Sequence, residues 1–293
     1  MSRPLLVLLA ALSLPACVTA PSPLTPAQRG SVGMPHLGVQ TDAEELPRAG
    51  EGYVRFRPHG RAYWGLPRLV RAIEGAAEHV ARVAPGGAPL VVGDLSARRG
   101  GKIPGHNSHR TGRDVDFLYY ATTPAGVPVR APGFFSFEGD GLAFVPGTGE
   151  FVRLDVPRQW ELFKYLLTNP QIGVQFLFVS QAVEALVIDH ALARGEPLEL
   201  VYRAQTVLIE PRDSLPHADH VHVRIACQPE EIASGCSGGG PYWSWLPANE
   251  YPAPLEAAEL ERIAREDPLS GDAPSEKPDQ PLAADAPAAP GGV

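Results

Sequence analysis

Apolar and polar residues recur along this chain with two periods, and the switches between them mark out its elements. From Pro67 to Val83, Leu69, Ile73, Ala77, Val80 and Val83 approximate one stripe at helical spacing, which predicts an amphipathic helix. Arg158 to Leu167 and Gln181 to Arg194 read as two more helices, the last ended by Gly195. Tyr53 to Arg57 reads as extended, and Leu90-Val91-Val92 and Phe176-Leu177-Phe178-Val179 are short apolar runs of strand length. Phe134 to Val152, rich in glycine, reads as a hairpin insertion. From Gly52 the predicted order is strand, helix, strand, insertion, helix, strand, helix and a last strand, with no internal repeat.

Strict alternation is clearest at His220-Val221-His222-Val223-Arg224-Ile225. Side chains alternate across a strand, so His220 and His222 share one face while Val221, Val223 and Ile225 turn to the core. A second strand, Asp114 to Tyr119, places Asp114 and Asp116 on a common face and follows a loop bent at Gly105 and Gly112. The two strands extend clusters dense in metal-binding side chains: His106, His109, Asp114 and Asp116 in the first, His217, Asp219, His220 and His222 in the second. Imidazole and carboxylate suit zinc, and a hydrolytic site needs three protein ligands with one position left for water. His109, Asp116 and His222 are the preferred trio. Metal-bound imidazoles need an acceptor for their second nitrogen, a role open to Asp114 and Asp219. For Asp114, an ion pair with Arg113 or Arg224 is the competing use.

The stretch Ser108-His109-Arg110-Thr111-Gly112-Arg113-Asp114-Val115-Asp116-Phe117, with His217 to Cys227 far downstream, resembles the penicillin-insensitive murein endopeptidases. That family belongs to the lysostaphin, D-Ala-D-Ala peptidase and hedgehog group of zinc folds. The similarity also takes in Gly93 to His109 and reaches roughly from Gly52 to Trp245. It implies an α+β domain with a central antiparallel sheet flanked by helices. It also implies His109, Asp116 and His222 as zinc ligands, His220 and His217 as catalytic groups, and His106 as a further active-site histidine. The substrate it implies is the peptidoglycan stem peptide, cut at the D-alanyl to meso-diaminopimelyl cross-link. Arg98, Arg99, Arg110 and Arg113, grouped around the first cluster, could hold carboxylates of such peptides. A zinc carboxypeptidase trimming terminal D-Ala, and a wall-binding lipoprotein that keeps the metal for structure only, are the two competing functions.

The three cysteines support an exported protein. Arg3 precedes an apolar run, Leu5 to Leu14, too short to span a bilayer, so residues 1–16 read as a signal peptide. Leu14-Pro15-Ala16-Cys17 resembles a bacterial lipobox, which implies acylation of Cys17 and a periplasmic enzyme on a lipid anchor. Plain secretion, with cleavage near Ala20, is the other reading. Cys227 and Cys236 then form an even pair suited to a disulfide. The rival use of Cys227 as a metal ligand would put it on the opposite strand face from His220 and His222.

Composition adds boundaries. Residues 17–50, rich in Pro, Gly and Ser, read as a flexible tether, 51–254 as the catalytic domain, and 255–293 as an acidic Pro/Ala-rich tail, largely disordered beyond a helical stretch at Leu255 to Arg265. The net charge of -8 resides mostly in that tail, with nine acidic and three basic residues from Glu256 onward. The domain is nearly neutral, and no basic groove points to a nucleic-acid partner. Trp243 and Trp245 are read as core packing rather than groove lining.

Overall fold

The computed structural model describes residues 29–212, 214–238, 243–246 and 255–266. The signal segment, Cys17 and the tail beyond 266 lie outside them. Strands β1 (Ser31–Met34) and β2 (Leu37–Gln40) form a hairpin, followed by β3 (Glu44–Glu45), β4 (Ala49–Gly50), β5 (Tyr53–Arg55) and β6 (Trp64–Gly65). Residues 31–50, expected as a tether, are therefore largely strand. Their Gly-rich composition serves close packing rather than looseness: a Cβ at Gly38 would sit 2.3 Å from a methyl of Thr111, so the hairpin lies directly on the loop of the first cluster.

Helix α1 (Pro67–Val83) begins with proline at its first turn and buries Leu69, Ile73, Ala77 and Val80 as predicted, together with Val70 and Ala76. Val83, its last residue, is exposed. The helix connects β5 to β7 (Leu90–Val92), which pair in parallel, a connection that requires such a crossover. Strand β8 (Asp114–Leu118) follows, then β9 (Ala121–Thr122), β10 (Pro128–Val129), β11 (Leu142–Val145) and β12 (Glu150–Leu154). These last four form a separate antiparallel sheet, within which β11 and β12 are the expected hairpin.

Helix α2 (Val156–Thr168) starts two residues before the predicted Arg158, because the Asp155 carboxylate accepts the Arg158 N–H and caps it. Strand β13 (Val174–Phe178) leads to α3 (Gln181–Ala193), capped by Ser180. Helix α4 (Leu198–Val207) was not expected, although Leu200, Val201, Ala204 and Val207 make a helical stripe that the fold buries. Strands β14 (Leu208–Ile209) and β15 (His220–Ile225), then helices α5 (Pro229–Ala233) and α6 (Ala257–Arg265), complete the described chain.

The main sheet has the order β14-β13-β15-β8-β7-β5-β4. Its middle, β13-β15-β8-β7, is antiparallel as expected, whereas β14 on β13 and β5 on β7 are parallel, so the whole is mixed. One large core contains the buried faces of α1, α2, α3 and α4 and of this sheet. A small second core joins Val32 and Val39 of the hairpin to Leu260 and Ile263 of α6. Cys227 and Cys236 are disulfide-bonded, with Cα atoms 6.0 Å apart, which excludes Cys227 as a ligand. The loop they close pairs with β1 through the Gly33 N–H and the Gly235 carbonyl. Trp243 and Trp245 stack on each other against the main core, Trp243 also meeting Phe176 edge-on.

Candidate active site

Strand register brings the two clusters together. In the antiparallel pair β8–β15, His222 lies opposite Asp116 and Arg224 opposite Asp114. Alternation puts all four side chains, and His220, on one face of the sheet, while Val115, Phe117, Val221 and Val223 fill the core on the other.

Asp116 is the centre of the arrangement. Its Oδ1 lies 3.2 Å from His109 Nε2, 3.6 Å from His220 Nε2 and 3.7 Å from His222 Nδ1, and its Oδ2 lies 3.6 Å from His106 Nδ1. Each imidazole that points one nitrogen here has the other held elsewhere. His109 Nδ1 meets the Leu95 carbonyl at 2.6 Å, His222 Nε2 meets Asp114 Oδ1 at 2.8 Å, His220 Nδ1 meets Asp219 Oδ1 at 2.6 Å, and His106 Nε2 meets Asp94 Oδ2 at 3.2 Å. Such partners orient each ring and leave its other nitrogen facing the centre. Two atoms there, His109 Nε2 and Asp116 Oδ1, are buried without any hydrogen-bond partner. Uncompensated buried polar atoms are costly, and a pair of unlike ligand atoms in this position is what a metal ion would satisfy. His106, His109 and Asp116 offer ligand atoms all within 4.8 Å of one another.

Asp114 uses its carboxylate to tie three elements together. Besides His222, it accepts from Arg224 Nε at 2.6 Å and from the His109 backbone N–H at 3.3 Å. Of the two arginines considered for it, Arg224 is therefore the partner. Arg113 is fully buried and donates instead to the Ile225 and Ser237 carbonyls, so it cannot also reach a substrate. Arg98 lies over the Trp64 ring. The His109 backbone has φ of 64°, a left-handed conformation that is costly for a residue with a Cβ and is held here by its neighbours. Gly112 at φ of 73° completes the bend, and a Cβ there would collide with Gln40 of the hairpin.

Asp94 escaped the sequence reading. It follows the buried strand β7, accepts from Arg57 at 3.1 Å and holds His106, while its backbone carbonyl accepts the Asp116 N–H. An acidic residue just after a buried strand was the available signal.

The histidines are electrostatically unequal. Against the opposing effect of burial, Asp116 holds His109 up at about 9. Burial, and then the neighbouring His109, push His222 down to about 4. Burial and His220 push His217 down to about 4, whereas Asp219 and Asp116 raise His220 despite its burial. Burial alone would raise the carboxyl of Asp116, but the surrounding imidazoles, His109 first, hold it well below the usual range. His217 lies beside His220 with the rings tilted and their centroids 4.8 Å apart, and its Nδ1 is buried and unpartnered.

Residues 31–131 match the sequence model of a family described as penicillin-insensitive murein endopeptidase. Penicillin-insensitive murein endopeptidases of Escherichia coli O1:K1 / APEC and of Escherichia coli strain SMS-3-5 are each 29% identical to this chain over 213 residues, 71% of this chain and 70% of theirs. The family match and these relatives support a peptidase. The family match begins at residue 31, inside the stretch first read as a tether, so the β1–β2 hairpin is part of the matched region. It also contains His106, His109, Asp114 and Asp116, together with Asp94.

Proposed function

We propose that the chain is an exported zinc-dependent murein endopeptidase that hydrolyses the D-alanyl to meso-diaminopimelyl cross-links of peptidoglycan. The observation that carries the metal is the pair of buried, unpartnered ligand atoms, His109 Nε2 and Asp116 Oδ1, beside His222 Nδ1. We assign His109, Asp116 and His222 as ligands because all three are buried, whereas the His106 side chain is about one-fifth exposed and anchored to Asp94 at the rim. Zinc held by two imidazoles and one carboxylate would polarise a scissile carbonyl and acidify a bound water.

The remaining histidines handle protons. His220 presents Nε2 toward the centre while Asp219 fixes its Nδ1, the arrangement of an oriented acid–base imidazole. His217 supplies a second exchangeable position at its unpartnered Nδ1, beside His220. His106 shapes the entrance. No serine or cysteine nucleophile enters this scheme, so penicillin-type acylation has no target in it. The leader and Cys17 fit a periplasmic enzyme, released or lipid-anchored.

Mass spectrometry of purified cross-linked muropeptide dimers tests this reading. Dimers should become monomers, with the reaction stopped by a chelator, restored by zinc and unaffected by penicillin. Release of free alanine with dimers left joined would instead assign a carboxypeptidase, and dimers unchanged in the presence of zinc would sink both.

A further inference from the structure

A cavity of about 400 Å³ opens beside the candidate site, built by the segment before β11 and by the β11–β12 hairpin. Phe134 is the wall between the two. It lines the cavity and also meets His220 edge-on, with ring centroids 5.4 Å apart, and packs edge-on against Phe56. The same segment is fastened to the loop carrying the second histidine cluster: the Phe137 N–H donates to the Ala218 carbonyl, and Tyr119, in edge contact with Phe137, donates its hydroxyl to the His217 carbonyl. A group seated in the cavity is therefore one aromatic ring away from His220.

The lining has a definite chemistry. Phe144 and Phe151 are cross-strand partners on the hairpin with ring centroids 5.3 Å apart. Both rings remain about half exposed, at 48% and 49%. Pairing across the strands explains their contact but not why two phenyl faces are left in water at a cavity mouth. Glu138 and Asp140 are exposed on the same lining, which includes no lysine or arginine. Asp140 uses one oxygen to accept the Leu142 N–H at 2.9 Å and close the turn. Phenyl faces with carboxylates attract an alkylammonium through both its charge and its methylenes.

We propose that this cavity is a substrate subsite for the free side-chain ammonium of a diamino-acid residue in the stem peptide next to the bond being cut. The proposal rests on the murein reading above and adds a determinant of specificity outside the metal centre. The full-length protein binds a stem tetrapeptide with a free side-chain amine at least 10-fold more tightly than the same peptide acetylated on that amine, as measured by isothermal titration calorimetry. A Glu138→Gln/Asp140→Asn variant, altered only at exposed positions and checked for an unchanged thermal transition, binds the two peptides alike. Phe144→Ser weakens the free-amine peptide several-fold. Equal binding of both peptides by the wild-type protein, discrimination that survives in the double variant, or displacement of the peptide by a peptide-free disaccharide overturns the proposal, the last by making the cavity a sugar site. Discrimination in binding without cleavage of cross-linked dimers leaves the subsite standing and removes the endopeptidase reading instead.

Discussion

Replacing Asp114 by asparagine tests the logic of the site at its most connected point. The substitution keeps side-chain volume and one carbonyl oxygen but removes a negative charge from a fully buried position. Three donors depend on that charge: Arg224 Nε at 2.6 Å, His222 Nε2 at 2.8 Å and the His109 N–H at 3.3 Å. Hydrogen bonds to a charged group contribute about 1.5 to 3 kcal/mol each, and breaking a buried ion pair from one side costs about 3 to 5 kcal/mol. Asparagine still accepts one bond, so the lower end applies, about 3 kcal/mol. For a domain of this size that corresponds to a fall in Tm of about 6 to 12 °C. The metal should suffer separately. Without Asp114 accepting from Nε2, His222 loses the partner that keeps its Nδ1 unprotonated and aimed at Asp116, and zinc affinity should fall about 10- to 100-fold. Thermal denaturation of the chelator-treated protein and zinc titration by calorimetry read the two effects independently. Pairing the change with Arg224→Met separates charge from shape, because the double variant should recover part of the stability lost in Asp114→Asn alone. A Tm within about 2 °C of wild type and an unaltered zinc affinity would refute the account of Asp114 as the carboxylate that holds the site.

Three further outcomes follow from the geometry. His222→Ala should abolish stoichiometric zinc binding while His106→Ala retains it, as read by metal analysis after dialysis; the reverse would move the third ligand from His222 to His106. His220→Ala and His217→Ala should each keep zinc but lower the rate of dimer cleavage by about 10²-fold or more, and normal turnover in either would remove that residue from the proton-transfer scheme. Replacing Cys227 and Cys236 by serine should destabilise the fold by about 2 to 3 kcal/mol on the loop-entropy account, visible as a lower midpoint in urea, and an unchanged midpoint would mean that the loop is held by its other contacts.

The part of the site that could be read from the chain is the part governed by period. Alternation alone puts His220 with His222 and Asp114 with Asp116, and the helical stripe from Leu69 to Val80 is buried as its spacing requires. Register between strands more than a hundred residues apart is a different matter. It is decided by how the apolar faces of β8 and β15 fit one core, and it makes His222, rather than His220, the residue opposite Asp116. The Leu95 carbonyl that orients His109 has no side-chain signature at all, and Asp94 acquires its role only because β7 ends beside β8. The tether was misread for a related reason. Glycines at 33 and 38 look like flexibility in composition, yet Gly33 at φ of 81° and Gly38 against Thr111 are positions where a side chain would not fit.

The hairpin also bears on how the candidate site is held. The first-cluster loop has no regular structure of its own, and it carries a histidine in a strained backbone conformation. Strain of this kind persists only where surroundings over-determine the chain. Here the β1–β2 hairpin supplies them: Gln40 N–H donates to the Arg99 carbonyl, Gly101 N–H to Gly38, and Arg110 N–H to Pro35. The hairpin is itself gripped from behind by Leu260 and Ile263 of α6 and by the disulfide loop at Gly235. Residues from both ends of the described chain thus converge on the backbone of the loop that carries His109. The fold places His109 from outside the cluster that contains it, so truncating either the hairpin or α6 should disturb the proposed metal site without touching a proposed ligand.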